Sequence, residues 1–142
     1  MKKPKKILIM GLPGAGKTTL ASKLVPLIKA KWLNADRIRS EANDWDFSIE
    51  GRKRQADRMN KFANEFLKDG YNVVADFVCP TPEARSSFNP DHVIWLNTIT
   101  KSRFDDTNKL FIKPEKVDLE INNKDSNFWA EEIVKKIFSN SI

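Results

Sequence analysis

The segment Gly11-Leu12-Pro13-Gly14-Ala15-Gly16-Lys17-Thr18 constrains this chain more than any other, because its glycines lead directly into a lysine and a threonine. The spacing is G-x-x-x-x-G-K-[ST]. An apolar run, Lys5 to Met10, precedes it, and Leu20, Leu24, Leu27 and Ile28 follow at helical spacing. A buried strand that turns through glycines into a helix aims successive backbone N–H groups, and the positive helix end, at an anion. In such a loop the lysine neutralises β- and γ-phosphates and the threonine hydroxyl ligates magnesium. ATP and Mg²⁺ are therefore expected on Gly11, Leu12, Pro13, Gly14, Ala15, Gly16, Lys17, Thr18 and Thr19. The competing reading is a glycine-rich turn that holds no ligand.

The remaining periodicities alternate between strand and helix. Pro26 should bend or end the first helix. Trp32-Leu33 reads as a second strand, and Asp36 as the cap of a short helix through Ala42. After a polar loop, Asn43 to Phe47, Ser48 caps a long helix whose Met59, Phe62, Phe66 and Leu67 form a stripe ending at Gly70. Tyr71 to Val78 is a β-rich run, and Thr81-Pro82-Glu83 starts a helix. Val93 to Asn97 and Val117 to Ile121 supply two further strands. Phe128 to Phe138 closes with Trp129, Ile133, Ile137 and Phe138 inward. This order implies a parallel five-stranded sheet with helices on both faces and ligands at the carboxyl ends of the strands, and with the glycine loop it gives the expectation of an α/β, three-layer P-loop NTPase/kinase fold.

At 142 residues and 40% hydrophobic content, the chain can build one core, so residues 1–142 are read as a single domain. Its apolar runs fall far short of the roughly 18 residues that a membrane helix needs. The basic start, Met1 to Lys6, resembles a signal peptide, but Gly11 and Pro13 break the apolar stretch that follows, which gives a cytoplasmic expectation. A single cysteine, Cys79, cannot form an internal disulfide. The net charge of +6, from 25 basic and 19 acidic residues, suits an anionic partner, either a nucleotide or a nucleic acid, or is merely a soluble basic surface.

Four segments resemble the adenylyl-sulfate (APS) kinases, which phosphorylate the ribose 3′-hydroxyl of adenosine 5′-phosphosulfate. Gly11 through Ala21 looks like that family's P-loop, and Leu33-Asn34-Ala35-Asp36-Arg37-Ile38-Arg39 resembles its L-D-G-D-N-[IV]-R. Phe47-Ser48, with Arg52, Gln55 and Arg58, resembles F-S-x-x-x-R-x-x-N-x-x-R, and Phe77-Val78-Cys79-Pro80 resembles F-I-S-P. Phe111 through Pro114 is loosely similar to Y-E-x-P; the likeness is good over residues 5–88 and loose beyond.

The resemblance implies a small anionic nucleotide as substrate. Lys17 and Asp36 would be catalytic, and Asp36 would lie beside the acceptor hydroxyl and the metal. Arg39 and Arg52 would hold the phosphosulfate, and Phe47 would stack on adenine. Gln55, Phe77, Val78 and Cys79 would complete the acceptor site. Plainer readings stand beside these: Asp36 as a helix cap alone, Arg52, Arg54 and Arg58 as a solvated helix face, and Phe47 as core.

Several positions depart from the family's pattern. Asn34 and Gln55 replace an aspartate and an asparagine, and Cys79 replaces a serine, which reads as a small buried group. Asp76 stands where the family has a small residue, so Thr18, Asp36 and Asp76 are the candidate metal ligands. Thr98 to Leu110 is shorter than the family's lid, with Lys101, Arg103 and Lys109 to supply its charge and Phe104 or Phe111 as its aromatic. A 5′-hydroxyl nucleic-acid end kinase is a second reading, although basic residues do not alternate with aromatics. A nucleotide-binding module without catalysis is a third, and a homodimer stays open.

Overall fold

The computed structural model describes residues 3–138, so Met1, Lys2 and residues 139–142, with the parts of the N-terminal and single-domain expectations that rest on them, lie outside the described residues. Five strands form one parallel sheet in the order β2-β3-β1-β4-β5. They are β1 (Lys6–Met10), β2 (Lys31–Asn34), β3 (Val73–Asp76), β4 (His92–Leu96) and β5 (Leu119–Ile121). Every residue of β1 is buried, as its central place requires.

Because successive side chains of a strand point to opposite faces, β1 feeds two cores. Ile7 and Ile9 pack with Leu20 and Leu24 of α1 (Lys17–Ile28) and Ile133 of α6 (Ser126–Phe138). Leu8 and Met10 pack on the other face, with Met59 of α3 (Ile49–Lys68) and Phe88 of α4 (Pro82–Phe88). The three-layer α/β architecture expected from the sequence is thus present. No helix among the described residues is long and apolar enough to cross a membrane.

Ser48 caps α3, accepting from the Gly51 N–H at 3.1 Å, and Thr81 caps α4 in the same way through Ala84. Other local expectations need correction. α1 runs two residues past Pro26 and ends at Ile28, where Lys29 takes a left-handed conformation, and the proline's missing N–H removes one intrahelical bond. The cap of α2 (Ala35–Ala42) is Asn34, whose Oδ1 accepts from Arg37 N at 3.0 Å, and Asp36 lies inside the first turn. β3 is shorter than Tyr71 to Val78, with Tyr71 exposed. In the closing helix Ala130, Ile133 and Ile137 are buried, whereas Trp129 and Phe138 are only half-buried. A short helix, α5 (Asp105–Leu110), which the sequence reading did not include, lies within the segment read as a shortened lid.

Candidate active site

The carboxyl ends of β1, β2 and β3 open into a cleft of about 680 Å³ that reaches from Gly14 and Lys17 to Arg52 and Thr107. Its floor is the glycine loop. Gly11 has φ 155°, and a Cβ there would stand 2.7 Å from the Leu96 carbonyl oxygen, so only glycine lets this turn approach β4. Gly16, at φ 105°, opens α1 without a capping side chain, which leaves first-turn N–H groups for a phosphate.

Lys17 Nζ donates to the Leu12 carbonyl at 3.0 Å. Burial lowers its pKa to about 8, against the opposing pull of the Asp76 and Asp36 carboxylates. Two braces missed in the sequence hold the loop from outside: Thr98 Oγ1 donates to Ala15 O at 2.8 Å, and Lys124 Nζ donates to Gly14 O at 2.9 Å. Neither belongs to a local motif, and chain distance hides both.

Asp76 ends β3 beside Ile9 of β1 and Asn34 of β2, and only 3% of it is exposed. Its carboxylate accepts from Trp32 Nε1 at 2.5 Å, from Asn34 Nδ2 at 3.2 and 3.3 Å, and from Thr18 Oγ1 at 3.3 Å. Burial raises the Asp76 pKa and these donors oppose the rise. Asp36, on the cleft wall, is exposed. Among the described residues no three His, Cys, Asp or Glu side chains cluster as a metal cage. A threonine hydroxyl with one or two carboxylates nevertheless fits Mg²⁺, which takes hard oxygen donors and completes its shell with phosphates and water.

A smaller recess of about 70 Å³ adjoins this cleft, and all eight residues expected at the acceptor site line it: Asp36, Arg39, Phe47, Arg52, Gln55, Phe77, Val78 and Cys79. Phe47 is 46% exposed, which removes the reading of it as core. The Arg39 and Arg52 guanidinia lie 4.2 and 5.4 Å from its ring centre. Arg39 is buried and donates to the Asp44 and Asp46 carbonyls at 2.8 and 3.1 Å, so it holds up the loop that carries Phe47. Arg52 donates to Phe47 O and to Thr107 Oγ1, both at 2.8 Å, and Asp106 lies 3.8 Å away. Gln55 donates to Ala35 O at 3.1 Å and accepts from Arg58.

Arg54 is half-exposed, as a solvated helix face requires, yet it is paired with Asp44 and Asp46. Hydrogen bonds from Arg54 and Arg58 hold the Asp44 carboxyl far below the usual range, and that of Asp46 is held at about 2, chiefly by the Ser48 backbone. These ion pairs fasten residues 43–48 to α3.

In the lid, Arg103 and Phe104 line the cleft, whereas Lys101 and Lys109 do not. Phe111 instead stacks on Trp95, with ring centres 6.5 Å apart. Ser102 and Asn108 close a loop around Arg103 and Phe104: Ser102 N and Oγ donate to Asn108 Oδ1 at 2.9 and 2.7 Å, and Asn108 Nδ2 returns a bond to Ser102 O at 2.8 Å.

Cys79 is buried, and desolvation pushes its thiol up to about 12. Only a thiolate alkylates readily, so iodoacetamide at pH 8 should leave native protein unmodified and label it stoichiometrically in guanidinium, as read by mass spectrometry. Rapid labelling of the native protein would contradict the buried thiol.

The curated "Probable adenylyl-sulfate kinase" of Aeropyrum pernix is 32% identical over 84 residues, a stretch that covers 55% of this chain and 46% of that protein. The chain thus matches about half the length of this relative. An APS kinase of Mycobacterium tuberculosis, solved in complex with AMPPNP and APS, superposes with a TM-score of 0.81 at 18% identity, covering 96% of this chain and 99% of the other. Shikimate kinase from Acinetobacter baumannii, in complex with shikimate, gives 0.63 at 21% identity over 98% and 96% of the two chains. Such identities establish the shared fold. The AAA domain model matches residues 7–89, which run from β1 through α4 and carry the glycine loop, Asp36, Arg52 and Asp76. Since that match takes in more than half of the sequence, the chain belongs to the AAA domain family.

Proposed function

We propose that this protein is an ATP-dependent kinase that transfers the γ-phosphoryl group to a hydroxyl of an adenosine nucleotide with an anionic 5′ tail, with adenosine 5′-phosphosulfate as the acceptor. The observation that carries this reading is the recess beside the glycine loop, where Asp36, Phe47 and Arg52 meet within reach of one cleft. Likeness to the A. pernix relative supports it.

Phosphoryl transfer asks a protein mainly for positioning and charge neutralisation. The glycine-loop N–H groups and Lys17 hold the triphosphate, and Thr18 and Asp76, with Asp36, are the residues that would hold Mg²⁺. A bound magnesium ion supplies neutralisation of charge on the phosphate oxygens. Asp36 orients the acceptor hydroxyl and accepts its proton as the oxygen attacks phosphorus. Phe47 offers a flat face to the adenine ring, and Arg52 offers a planar fork to the tail. Arg39, occupied by two carbonyls, keeps Phe47 in place.

ATP consumption measured with adenosine 5′-phosphosulfate, shikimate, gluconate and a 5′-hydroxyl oligonucleotide tests the reading. Turnover should be greatest with adenosine 5′-phosphosulfate; turnover with another acceptor alone would overturn the assignment and leave the kinase reading. Arg52→Ala should raise the acceptor KM tenfold or more, equivalent to about 1.4 kcal/mol, while the KM for ATP stays unchanged. Equal loss of affinity for both substrates would remove Arg52 from the acceptor side.

A further inference from the structure

β2 and β3 end side by side against α1, with Asn34 and Asp76 in register. Their side chains are nearly the same size and differ by one charge. Asn34 Nδ2 lies 3.2 and 3.3 Å from the two Asp76 oxygens and 3.4 Å from Thr18 Oγ1, and Asp76 Oδ1 lies 3.3 Å from the same hydroxyl. A carboxamide on one strand and a carboxylate on the next therefore touch each other and converge on Thr18, the candidate metal ligand.

The pair's other bonds do not depend on which strand carries the charge. Asn34 Oδ1 caps α2 by accepting from Arg37 N, a task that an aspartate oxygen performs as well. The outer oxygen of Asp76 accepts from Trp32 Nε1, which an asparagine oxygen can also do. With the two residues exchanged, the carboxamide nitrogen at 76 would donate to the carboxylate at 34, and the Thr18 hydroxyl would keep a carboxylate partner. The charge would then also sit at the amino end of α2, where the helix dipole favours it.

We infer that Asn34 and Asp76 act as an exchangeable pair: the metal–nucleotide site needs a single carboxylate beside Thr18, and the fold accepts it from either strand. Asn34 is thereby a positioning residue that orients the Asp76 carboxylate. The inference rests on the reading of this cleft as a magnesium–nucleotide site.

The test is calorimetric titration of a non-hydrolysable ATP analogue, with Mg²⁺ and with EDTA, into wild type, Asp76→Asn and the exchange variant Asn34→Asp/Asp76→Asn. Wild type should bind more tightly with Mg²⁺. Asp76→Asn should lose about 10- to 100-fold of that metal-dependent gain. The exchange variant should recover most of it and melt within a few degrees of wild type. An exchange variant no better than Asp76→Asn, or one that fails to fold, would overturn the inference while the magnesium–nucleotide reading stood. So would an Asp76→Asn protein that kept the full gain. If wild type bound the analogue in neither condition, the nucleotide reading itself would fall and take the inference with it.

Discussion

Replacing Lys17 by alanine should abolish turnover and leave the fold intact. In the structure its Nζ donates to the Leu12 carbonyl, and the core does not depend on that bond. Loss of a preorganised charge that faces a transferring phosphoryl group costs at least tenfold, and commonly about 10²- to 10³-fold. Steady-state kinetics with a circular-dichroism melt separates the two claims; more than about a tenth of the wild-type rate, on the scale of one 1.4 kcal/mol contact, would remove Lys17 from catalysis. A pH series adds a signed check. Burial holds Lys17 at about 8 in the free protein, so above that pH nucleotide binding must take up a proton. Wild-type affinity for ADP should therefore fall as pH rises through 8, approaching tenfold per pH unit, whereas Lys17→Ala should show no such slope.

The largest structural effect should come from Gly51→Ala. Gly51 lies in the first turn of α3, where alanine would ordinarily be the better helix former. Here a Cβ would stand 2.1 Å from the Asp46 carbonyl oxygen and 2.6 Å from the Asp46 side-chain carbon. Both belong to the turn that lays Phe47 over the recess, so the loop or the helix start must move. The resulting overpacking should cost about 1–3 kcal/mol, visible as a lowered melting temperature. Because the displaced segment carries Phe47, and Arg52 is bonded to its carbonyl, acceptor KM should rise while ADP affinity is kept. An unchanged melting temperature would mean that the loop yields freely.

Features written into adjacent residues were readable in the sequence, and features made by distant ones were not. The glycine loop, the Ser48 and Thr81 caps and the buried first strand each follow from a few consecutive residues, and the structure has them as expected. The cap of α2 is ambiguous in the sequence because Asn34 and Asp36 are both good caps two positions apart, and only the backbone at the end of β2 chooses Asn34. α5 escaped because six residues carry no helical stripe and its cap position, Phe104, makes no side-chain cap bond. At the site, residue types showed which side chains line the recess but not what already engages them. The partners of Arg39 are backbone carbonyls of a loop, and Arg52 is bonded both to the Phe47 carbonyl and to a threonine 55 residues away.

The central position of β1 also bears on the order in which the molecule assembles. Lys6 to Met10 pair with β3 and β4, whose first partners are Val73 and His92, so this apolar strand has no strand neighbour until β3 has been made. At ribosomal speeds of about 5–20 residues per second, the wait from β1 to β3 is roughly 3 to 13 s. During it Ile7, Leu8, Ile9 and Met10 form an unpaired apolar segment of the kind that recruits chaperones or other nascent chains. The strand that leads into the glycine loop thus waits longer for its first hydrogen-bonding partner than any other strand of the sheet.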